Sequence, residues 1–335
     1  MCSSNKLYVI SLPLALAAAF LVAFAIAGSL TPRVARWGRR AGALDEGNRP
    51  RSVHSAPVPR VGGVAVACAV FGAVLFGSLA RPAALRPLTD DPQALIAIFG
   101  GGIAILALGL WDDFRDLAPG WKLAGQSTVA LAVAGLGVRI ELLGLPGLDV
   151  LATGPWAVPL TVLWLVGIMN AINLLDGLDG LAAGVAVFVV VPLLLVSAVN
   201  SQAIGVLVGM ALAGALLGFL RHNFHPASVF LGDSGALFIG YVLGVWSVLA
   251  WQKSATGLAV LVVVPAFALP LADTAFAVVR RLLDGRSPLE ADAGHLHHRL
   301  LRVGLSHRES VVLLYSVAGI GAAGAIAAIL LTGTG

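Results

Sequence analysis

Three aspartates fall within five residues of the segment WDDFRDLAPGWK, residues 111–122. Asp112, Asp113 and Asp116 would repel one another, and a divalent cation would relieve that repulsion. Ligands that are rich in oxygen and free of sulfur favour Mg²⁺, with Mn²⁺ as the alternative. Lys122 follows ten residues after Asp112 and could return as a phosphate-binding cation. The competing interpretation is a solvated acidic loop.

A second polar stretch, NAINLLDGLDG, follows an almost wholly apolar run. Asn170, Asn173, Asp176 and Asp179 recur every three residues, so successive members would be neighbours on a helix. Amide and carboxylate oxygens suit a hard cation or the hydrogen-bond donors of a nucleotide. Helix capping also favours Asn, Asp and Gly, but it accounts for only one or two of these residues.

A third stretch, FLGDSGALFIGY, places Asp233 between Gly232 and Ser234 where a loop enters an apolar segment. A carboxylate at a helix N-terminus is electrostatically favourable, so Asp233 could be only a cap. The flanking glycines favour the close approach of a metal or a phosphate instead.

The fourth candidate is a histidine-rich stretch within residues 290–308. His295, His297, His298 and Arg299 lie within five residues. Three histidines at this spacing on one element cannot easily reach a single metal ion, so a cationic phosphate clamp is favoured. The alternative is a basic loop near anionic lipid.

A weaker candidate is the basic, proline-rich stretch 49–63, which contains His54 and Arg60. It either binds phosphate or only supplies charge that orients the chain in a membrane.

The composition indicates whether the chain is surrounded by water or by lipid. Of its 335 residues 59% are hydrophobic and only 11% are charged, and the mean hydropathy is +0.94. A soluble domain cannot bury so much apolar surface, so we expect membrane lipid as a partner and no nucleic acid. Cys2 and Cys68 have no partner at metal-ligand spacing, so neither a disulfide framework nor a thiolate metal site is expected.

The elements that must position these residues are predicted to be membrane helices. We expect an all-α, polytopic integral membrane protein with a single domain over residues 1–335, about ten transmembrane helices and the active-site loops on the cytoplasmic side. Residues 7–28 exceed the ~7–15 apolar residues of a signal peptide and should be a retained first span. The ten predicted spans are 7–28, 61–80, 92–111, 122–138, 155–172, 181–199, 202–220, 235–252, 256–279 and 309–332. Pro265 and Pro270 should bend the ninth.

Charge predicts the orientation of these spans. One side of the predicted layout carries 16 of the 21 Lys and Arg residues, all seven histidines and twelve of the seventeen acids. That side should be cytoplasmic in the inner (plasma) membrane, with both termini outside. Only Asp273 among the acids falls well inside a predicted span.

Together the four motifs resemble the polyprenyl-phosphate N-acetylhexosamine-1-phosphate transferases, the membrane enzymes related to phospho-N-acetylmuramoyl-pentapeptide transferase. The resemblance runs from about Asp45 to Leu301. It implies transfer of a sugar 1-phosphate from a UDP-N-acetylhexosamine to undecaprenyl or decaprenyl phosphate, with release of UMP, to begin assembly of a cell-envelope glycan. It also implies a requirement for Mg²⁺, and UDP-GlcNAc is the expected donor.

The resemblance further implies roles for individual residues. Asp233 and Asn173 would hold Mg²⁺ against the diphosphate. Asp112 and Asp113 would lie at the reacting phosphates, with Asp116 and Lys122 beside them. The remaining implied residues are Asp176 and Asp179 near the nucleotide, His295, His297, His298 and Arg299 for diphosphate and sugar, and His54 and Arg60 as weaker candidates for the lipid phosphate.

Other functions stay open from the sequence. The enzyme could instead be the phospho-MurNAc-pentapeptide transferase of peptidoglycan synthesis, with UDP-MurNAc-pentapeptide as donor, or it could use UDP-GalNAc. A transporter would use intramembrane acids as an ion path, and a non-catalytic lipid-binding scaffold would have no use for a cation site. A homodimer is a further expectation, and no motif in the sequence bears on it.

Overall fold

The computed structural model describes residues 3–45, 57–80, 92–143, 151–252, 259–285 and 295–332. These ranges are helical apart from two short antiparallel hairpins, which pair β1 (Leu44–Asp45) with β2 (Val58–Pro59) and β3 (Leu142–Leu143) with β4 (Leu151–Ala152). The helices are α1 (Ser3–Ala41), α2 (Gly62–Ala80), α3 (Pro92–Leu95), α4 (Gly101–Arg115), α5 (Pro119–Gly135), α6 (Ala157–Leu175), α7 (Leu181–Val199), α8 (Ala203–Asn223), α9 (Gly232–Gln252), α10 (Ala259–Ala266), α11 (Ala268–Leu283), α12 (Leu296–Arg302) and α13 (His307–Thr332). A π-helical turn, Ile96–Gly100, joins α3 to α4.

Seven helical segments in the described ranges are long and apolar enough to cross a membrane. They contain α1, α4 and α6 to α9, together with α13. The chain is therefore an all-α polytopic membrane protein, as the sequence predicted. The other three predicted spans are also helical, but α2 and α5 are short and the predicted span 256–279 is divided between α10 and α11.

Two boundaries differ from the sequence prediction. The first helix does not end near residue 28 but continues to Ala41, because its polar C-terminal half packs against the hairpin strand β2 and the start of α2 instead of entering a loop. The ninth predicted span does not merely bend. It breaks at Phe267, between Pro265 and Pro270, since each proline removes a backbone donor from the helix.

Helix α9 lies at the centre of the protein. Of its membrane-crossing window, 94% is buried inside the protein, against 22% for α1 and 28% for α13. Its side chains Phe238, Tyr241 and Trp246 are almost fully buried. A helix surrounded by other helices is held rigidly, so its first turn is a fixed platform for the residues it carries.

Small residues bring the outer helices close together. A β carbon on Gly214 or Gly218 of α8 would collide with the carbonyl groups of Phe20 and Phe24 on α1. Because lipid supplies little hydrophobic drive for helix association, such close backbone contact is the main source of packing energy in a bilayer.

Three tight connections bring the predicted motifs to one end of the bundle. Helix α4 turns into α5 within residues 115–119, α6 into α7 within 175–181, and α8 into α9 within 223–232. We call this end the motif face. The loop before α9 is joined to the start of α2, since Gly62 and Gly63 donate backbone hydrogen bonds to the carbonyls of Phe230 and Leu231, both at 2.9 Å.

Candidate active site

The site is built around the first turn of α9, which carries Asp233. Asp113, from the end of α4, accepts the backbone N–H groups of Asp233 at 2.8 Å and Ser234 at 3.0 Å. Asp113 thus caps the central helix from a neighbouring helix, and its negative charge complements the helix dipole. Gly232 has φ +74°, and a β carbon there would lie 2.8 Å from the Asp113 carboxylate, so only glycine fits.

A buried cation links the first and third motifs. The Lys122 ammonium forms an ion pair with Asp112 and donates to Oδ1 of Asp233 at 2.9 Å. Leu117 donates its backbone N–H to the other oxygen of Asp112 at 2.7 Å. Lys122 lies beside Asp112 because a tight turn ends α4 at Asp116, whose φ is +48°, and its role as a phosphate-binding cation stays a prediction.

The second motif supplies an amide and another acid. The Asn173 side-chain amide donates to Oδ1 of Asp233, so Asn173 and Lys122 meet at the same carboxylate. Burial, followed by the charges of Asp233 and Asp113, raises the pKa of Asp176 to about 8. Burial is the larger cause, and the neighbouring charges of Asp233 and Asp113 add to it, so this carboxyl group lies in a buried and acidic part of the site.

The structure therefore brings four carboxyl groups to the start of α9. Asp112 and Asp233 pair with Lys122, Asp113 caps the helix, and Asp176 lies within the influence of the Asp233 and Asp113 charges. Carboxylate and carboxamide oxygens without sulfur are the donors that hard divalent cations prefer. The donor set and its uncompensated charge both fit Mg²⁺, with Asp233 and Asn173 as the residues that would hold it.

Other polar members of the first two motifs lie elsewhere. Asp116 is exposed and forms an ion pair with Arg60 at 3.0 Å, at the edge of the site. Asn170 lies one helical turn deeper than Asn173 and donates to Gln126 of α5 and to the carbonyl of Val166. His54 lies outside the described residues.

The histidine-rich stretch is held in place by Asp273, the aspartate that was predicted to lie inside a span. Asp273 of α11 bonds the His295 ring at 3.0 Å and accepts the backbone N–H of Leu296 at 2.8 Å, so it anchors the start of α12. Asp273 therefore belongs to a buried contact with the histidine segment. This placement counts against the ion path that a transporter would need.

His297 packs against the second motif. His297 is 2% exposed and packs against Gly177, where a β carbon would collide with the imidazole. Burial, followed by the neighbouring imidazoles of His298 and His295, lowers the pKa of His297 to about 3. His297 is therefore neutral at physiological pH, whereas the sequence suggested a cationic clamp. Both of its ring nitrogens are buried without a hydrogen-bond partner among the described residues. The side chain of Arg299 is exposed.

Asp179 joins a group that the sequence analysis did not assemble. Its carboxylate bonds the ring of His225 at 2.8 Å and the backbone N–H of Ala227 at 3.0 Å. The His225 ring stacks on His307, with 4.3 Å between the ring centroids. The only sequence signal was that every histidine falls on the same predicted side of the membrane.

Comparison with known proteins places this site in a family. Residues 95–251 match glycosyl transferase family 4. A probable undecaprenyl-phosphate N-acetylglucosaminyl 1-phosphate transferase of Bacillus subtilis is 36% identical over 301 residues, which cover 89% of this chain and 81% of the relative. A decaprenyl-phosphate N-acetylglucosaminephosphotransferase of Mycolicibacterium smegmatis is 39% identical over 303 residues, 84% of this chain and 74% of the relative.

A less similar relative is named for a different sugar. The phospho-N-acetylmuramoyl-pentapeptide-transferase of Lactiplantibacillus plantarum is 30% identical over 257 residues, which cover 73% of this chain and 76% of the relative. The extent of these similarities and the helical membrane fold show that the chain is a transferase and belongs to the polyprenyl-phosphate N-acetylhexosamine-1-phosphate transferases of glycosyl transferase family 4.

Proposed function

We propose that the chain transfers N-acetylglucosamine 1-phosphate from UDP-GlcNAc to polyprenyl phosphate, giving a polyprenyl-diphosphate sugar and UMP. The observation that carries this proposal is the meeting of Asp112, Lys122, Asn173 and Asp233 at one end of the bundle, where a phosphate-rich donor and a lipid-bound acceptor can both arrive. Such a reaction would begin the assembly of a cell-envelope glycan.

The choice of sugar follows the relatives. The two relatives named for N-acetylglucosamine are 36% and 39% identical over 301 and 303 residues, whereas the relative named for the muramoyl-pentapeptide is 30% identical over 257. UDP-MurNAc-pentapeptide is therefore the second candidate donor, and UDP-GalNAc is a third.

Both substrates are anions, so the site must neutralise charge before they can meet. When bound, Mg²⁺ supplies neutralisation of the diphosphate and stabilisation of the departing UMP. Asp233 and Asn173 would hold the ion, and Mn²⁺ offers the same coordination preference. The Lys122 ammonium is already held against Asp233 at 2.9 Å and would contact the phosphates of the donor.

We favour direct attack by the lipid phosphate on the sugar-bearing phosphorus, with cleavage of the bond to the oxygen of UMP. A phosphate monoester has a second pKa of about 6 and needs little help from a base at neutral pH. Asp113 uses its carboxylate to cap α9, and Asp112 is held by Lys122 and the Leu117 N–H. Carboxylates engaged in this way are better suited to position cations than to act as nucleophiles.

The motif face is proposed to be cytoplasmic in the inner (plasma) membrane. The supporting observation is the excess of Lys and Arg, 16 of 21, on the predicted loops of that side. UDP-sugars are made in the cytosol and the acceptor's tail lies in the bilayer, so the reaction belongs at that interface.

Transfer by the purified protein tests the proposal. Protein in detergent is given UDP-GlcNAc labelled at the sugar-bearing phosphate, undecaprenyl phosphate and Mg²⁺, and parallel reactions contain UDP-GalNAc or UDP-MurNAc-pentapeptide. We expect the label to pass to the lipid with release of UMP, fastest with UDP-GlcNAc and abolished by EDTA. The proposal is wrong if no UDP-N-acetylhexosamine supports metal-dependent transfer, and a faster reaction with the pentapeptide donor would establish the alternative.

A further inference from the structure

A second group of metal-ligating side chains lies outside the magnesium centre. Asp179 belongs to the loop between α6 and α7, His225 to the loop between α8 and α9, and His307 is the first residue of α13. One ligand atom from each of the three lies within 4.8 Å of the other two. Three segments that are distant in the chain thus present two imidazoles and a carboxylate to one point.

The surroundings of this group suit a bound ion. Asp179 is 3% exposed and His307 is 9% exposed, while His225 is partly open to solvent. Two ligands are therefore held by the protein, and the third leaves a route of entry. The His225 ring lies 2.8 Å from the Asp179 carboxylate, and one ligand atom of His307 lies within 4.8 Å of both. The His225 and His307 rings are stacked, so one of them must turn for both nitrogens to face a shared ion.

The ligand chemistry separates this group from the magnesium centre. Imidazole nitrogen favours Zn²⁺ and its transition-metal neighbours, whereas Mg²⁺ prefers oxygen ligands alone. Two histidines with one carboxylate are also a ligand set that zinc proteins use, with water in the fourth position.

We propose that Asp179, His225 and His307 form a zinc-class metal site that is distinct from the magnesium centre. The metal joins the N-terminus of α13 to the two loops that carry catalytic-site residues. Asp179 lies three residues after Asp176, and His225 opens the loop that leads to Asp233. A metal bound here braces one wall of the active site from outside the reacting atoms.

The protein contacts around the group support this bracing role. The Arg308 guanidinium donates to the carbonyl of His225 at 3.4 Å, and the Tyr315 hydroxyl of α13 donates to the carbonyl of Gly180 at 2.6 Å. Helix α13 therefore already docks on both loops. A metal ligand at its first residue would add a coordination bond to the same interface, where hydrogen bonds alone are individually weak.

Zinc binding by the purified full-length protein tests the proposal. Excess Mg²⁺ is present throughout so that the oxygen ligands of the magnesium centre are occupied, and Zn²⁺ is titrated against a chromophoric chelator. We expect one Zn²⁺ per chain. Because even an outer-shell partner contributes about 10–100-fold to metal affinity, His307→Gln and His225→Gln should each weaken binding by at least about tenfold.

His222→Gln is the matched control. His222 lies on α8, three residues before His225, and its ring nitrogen bonds the carbonyl of Gly28 at 2.8 Å, away from the group. This variant should bind Zn²⁺ as the wild type does. Zinc should also raise the melting temperature of the wild type and of His222→Gln, but not that of His307→Gln.

X-ray absorption at the zinc edge gives a reading that needs no variant. Two imidazole ligands and oxygen in the remaining positions are expected for the wild type. The proposal is overturned if the wild type binds no stoichiometric zinc in the presence of Mg²⁺, if both histidine variants bind it as tightly as His222→Gln, or if the spectrum shows no imidazole.

Discussion

The carboxylate of Asp113 caps the helix that carries Asp233, although 120 residues separate the two in the chain. Asp113 accepts the first backbone N–H groups of α9 at 2.8 and 3.0 Å, so it fixes the axial position of the central helix relative to α4. Asp112 and Asp113, the adjacent acids of the first motif, therefore have different roles. Asp113 orients the helix, and Asp112 faces Lys122.

The capping role predicts an order of stability among variants of Asp113. Asp113→Ala removes both acceptors and should destabilise the protein by about 1 kcal/mol or more, as loss of a helix cap does. Asp113→Asn keeps one acceptor and should melt closer to the wild type. Thermal unfolding in detergent measures this, with Asp284→Ala as the control, because Asp284 is an exposed aspartate just after α11 in an ordinary backbone conformation. Equal melting temperatures for the Ala and Asn variants would contradict the capping role.

Asp233 is expected to be indispensable for turnover. Asp233→Asn keeps the size of the side chain but removes the charge that would hold the metal and that pairs with Lys122. Because a catalytic metal contributes several kcal/mol of transition-state stabilisation, the rate should fall by about 100-fold or more. Radiolabel transfer measures the rate, and size-exclusion chromatography verifies that the variant is folded. A folded variant that turns over at the wild-type rate would refute the metal role.

Lys122 would compete with a bound metal ion for Asp233, since its ammonium lies 2.9 Å from that carboxylate. Lys122→Gln should therefore lower the concentration of Mg²⁺ needed for half-maximal metal binding. It should also slow transfer, because one positive charge near the phosphates is lost. Mn²⁺ binding followed by electron paramagnetic resonance gives the affinity, and radiolabel transfer gives the rate. Unchanged or weaker metal binding in the variant would show that the lysine does not oppose the ion.

The neutral state of His297 predicts a dependence of stability on acid. Its pKa is lowered to about 3 in the folded protein, whereas an unfolded histidine has a pKa of about 6.5. Between these values the unfolded chain binds the extra proton, so this residue's contribution to stability falls as pH falls below about 6.5. His297→Gln should lose less stability than the wild type between pH 7 and about pH 5.

Melting temperatures at the two pH values measure that difference. His222→Gln is a suitable control, because it also removes one imidazole but at a site bonded to the carbonyl of Gly28. If His297→Gln and the wild type lose stability equally on acidification, the histidine is not held neutral by its burial.

The helical membrane architecture was readable from the sequence because spanning segments must be long, apolar and internally hydrogen-bonded. Each of the ten predicted spans is mainly helical within the residues that the structure describes. Their ends were less predictable. Helix α1 continues to Ala41 because the hairpin strand β2 and the start of α2 cover it, and that contact is invisible in a local hydropathy pattern.

Spacing along the chain also predicted part of the site. The spacing placed Lys122 near the acidic segment as a phosphate-binding cation, and the structure pairs it with Asp112 because a short turn connects the two helices. The phosphate role stays a prediction. The same reasoning missed Asp273 as the anchor of His295 and gave Asp179 no histidine partners. Those pairings join residues 22 and 46 positions apart, and nothing local specifies which distant helix ends become neighbours.

The sequence by itself indicated that this chain is a membrane protein, predicted one membrane face for most of its acids and for its histidines, and showed which family its motifs resemble. These properties depend on composition and on periodicity within single helices, which short-range physics fixes. Only the tertiary structure decided how the acids divide between capping α9, pairing with Lys122, anchoring α12 and meeting His225 with His307. Each of those assignments depends on how buried helix ends satisfy their polar groups against one another, and that is settled by packing across the whole bundle.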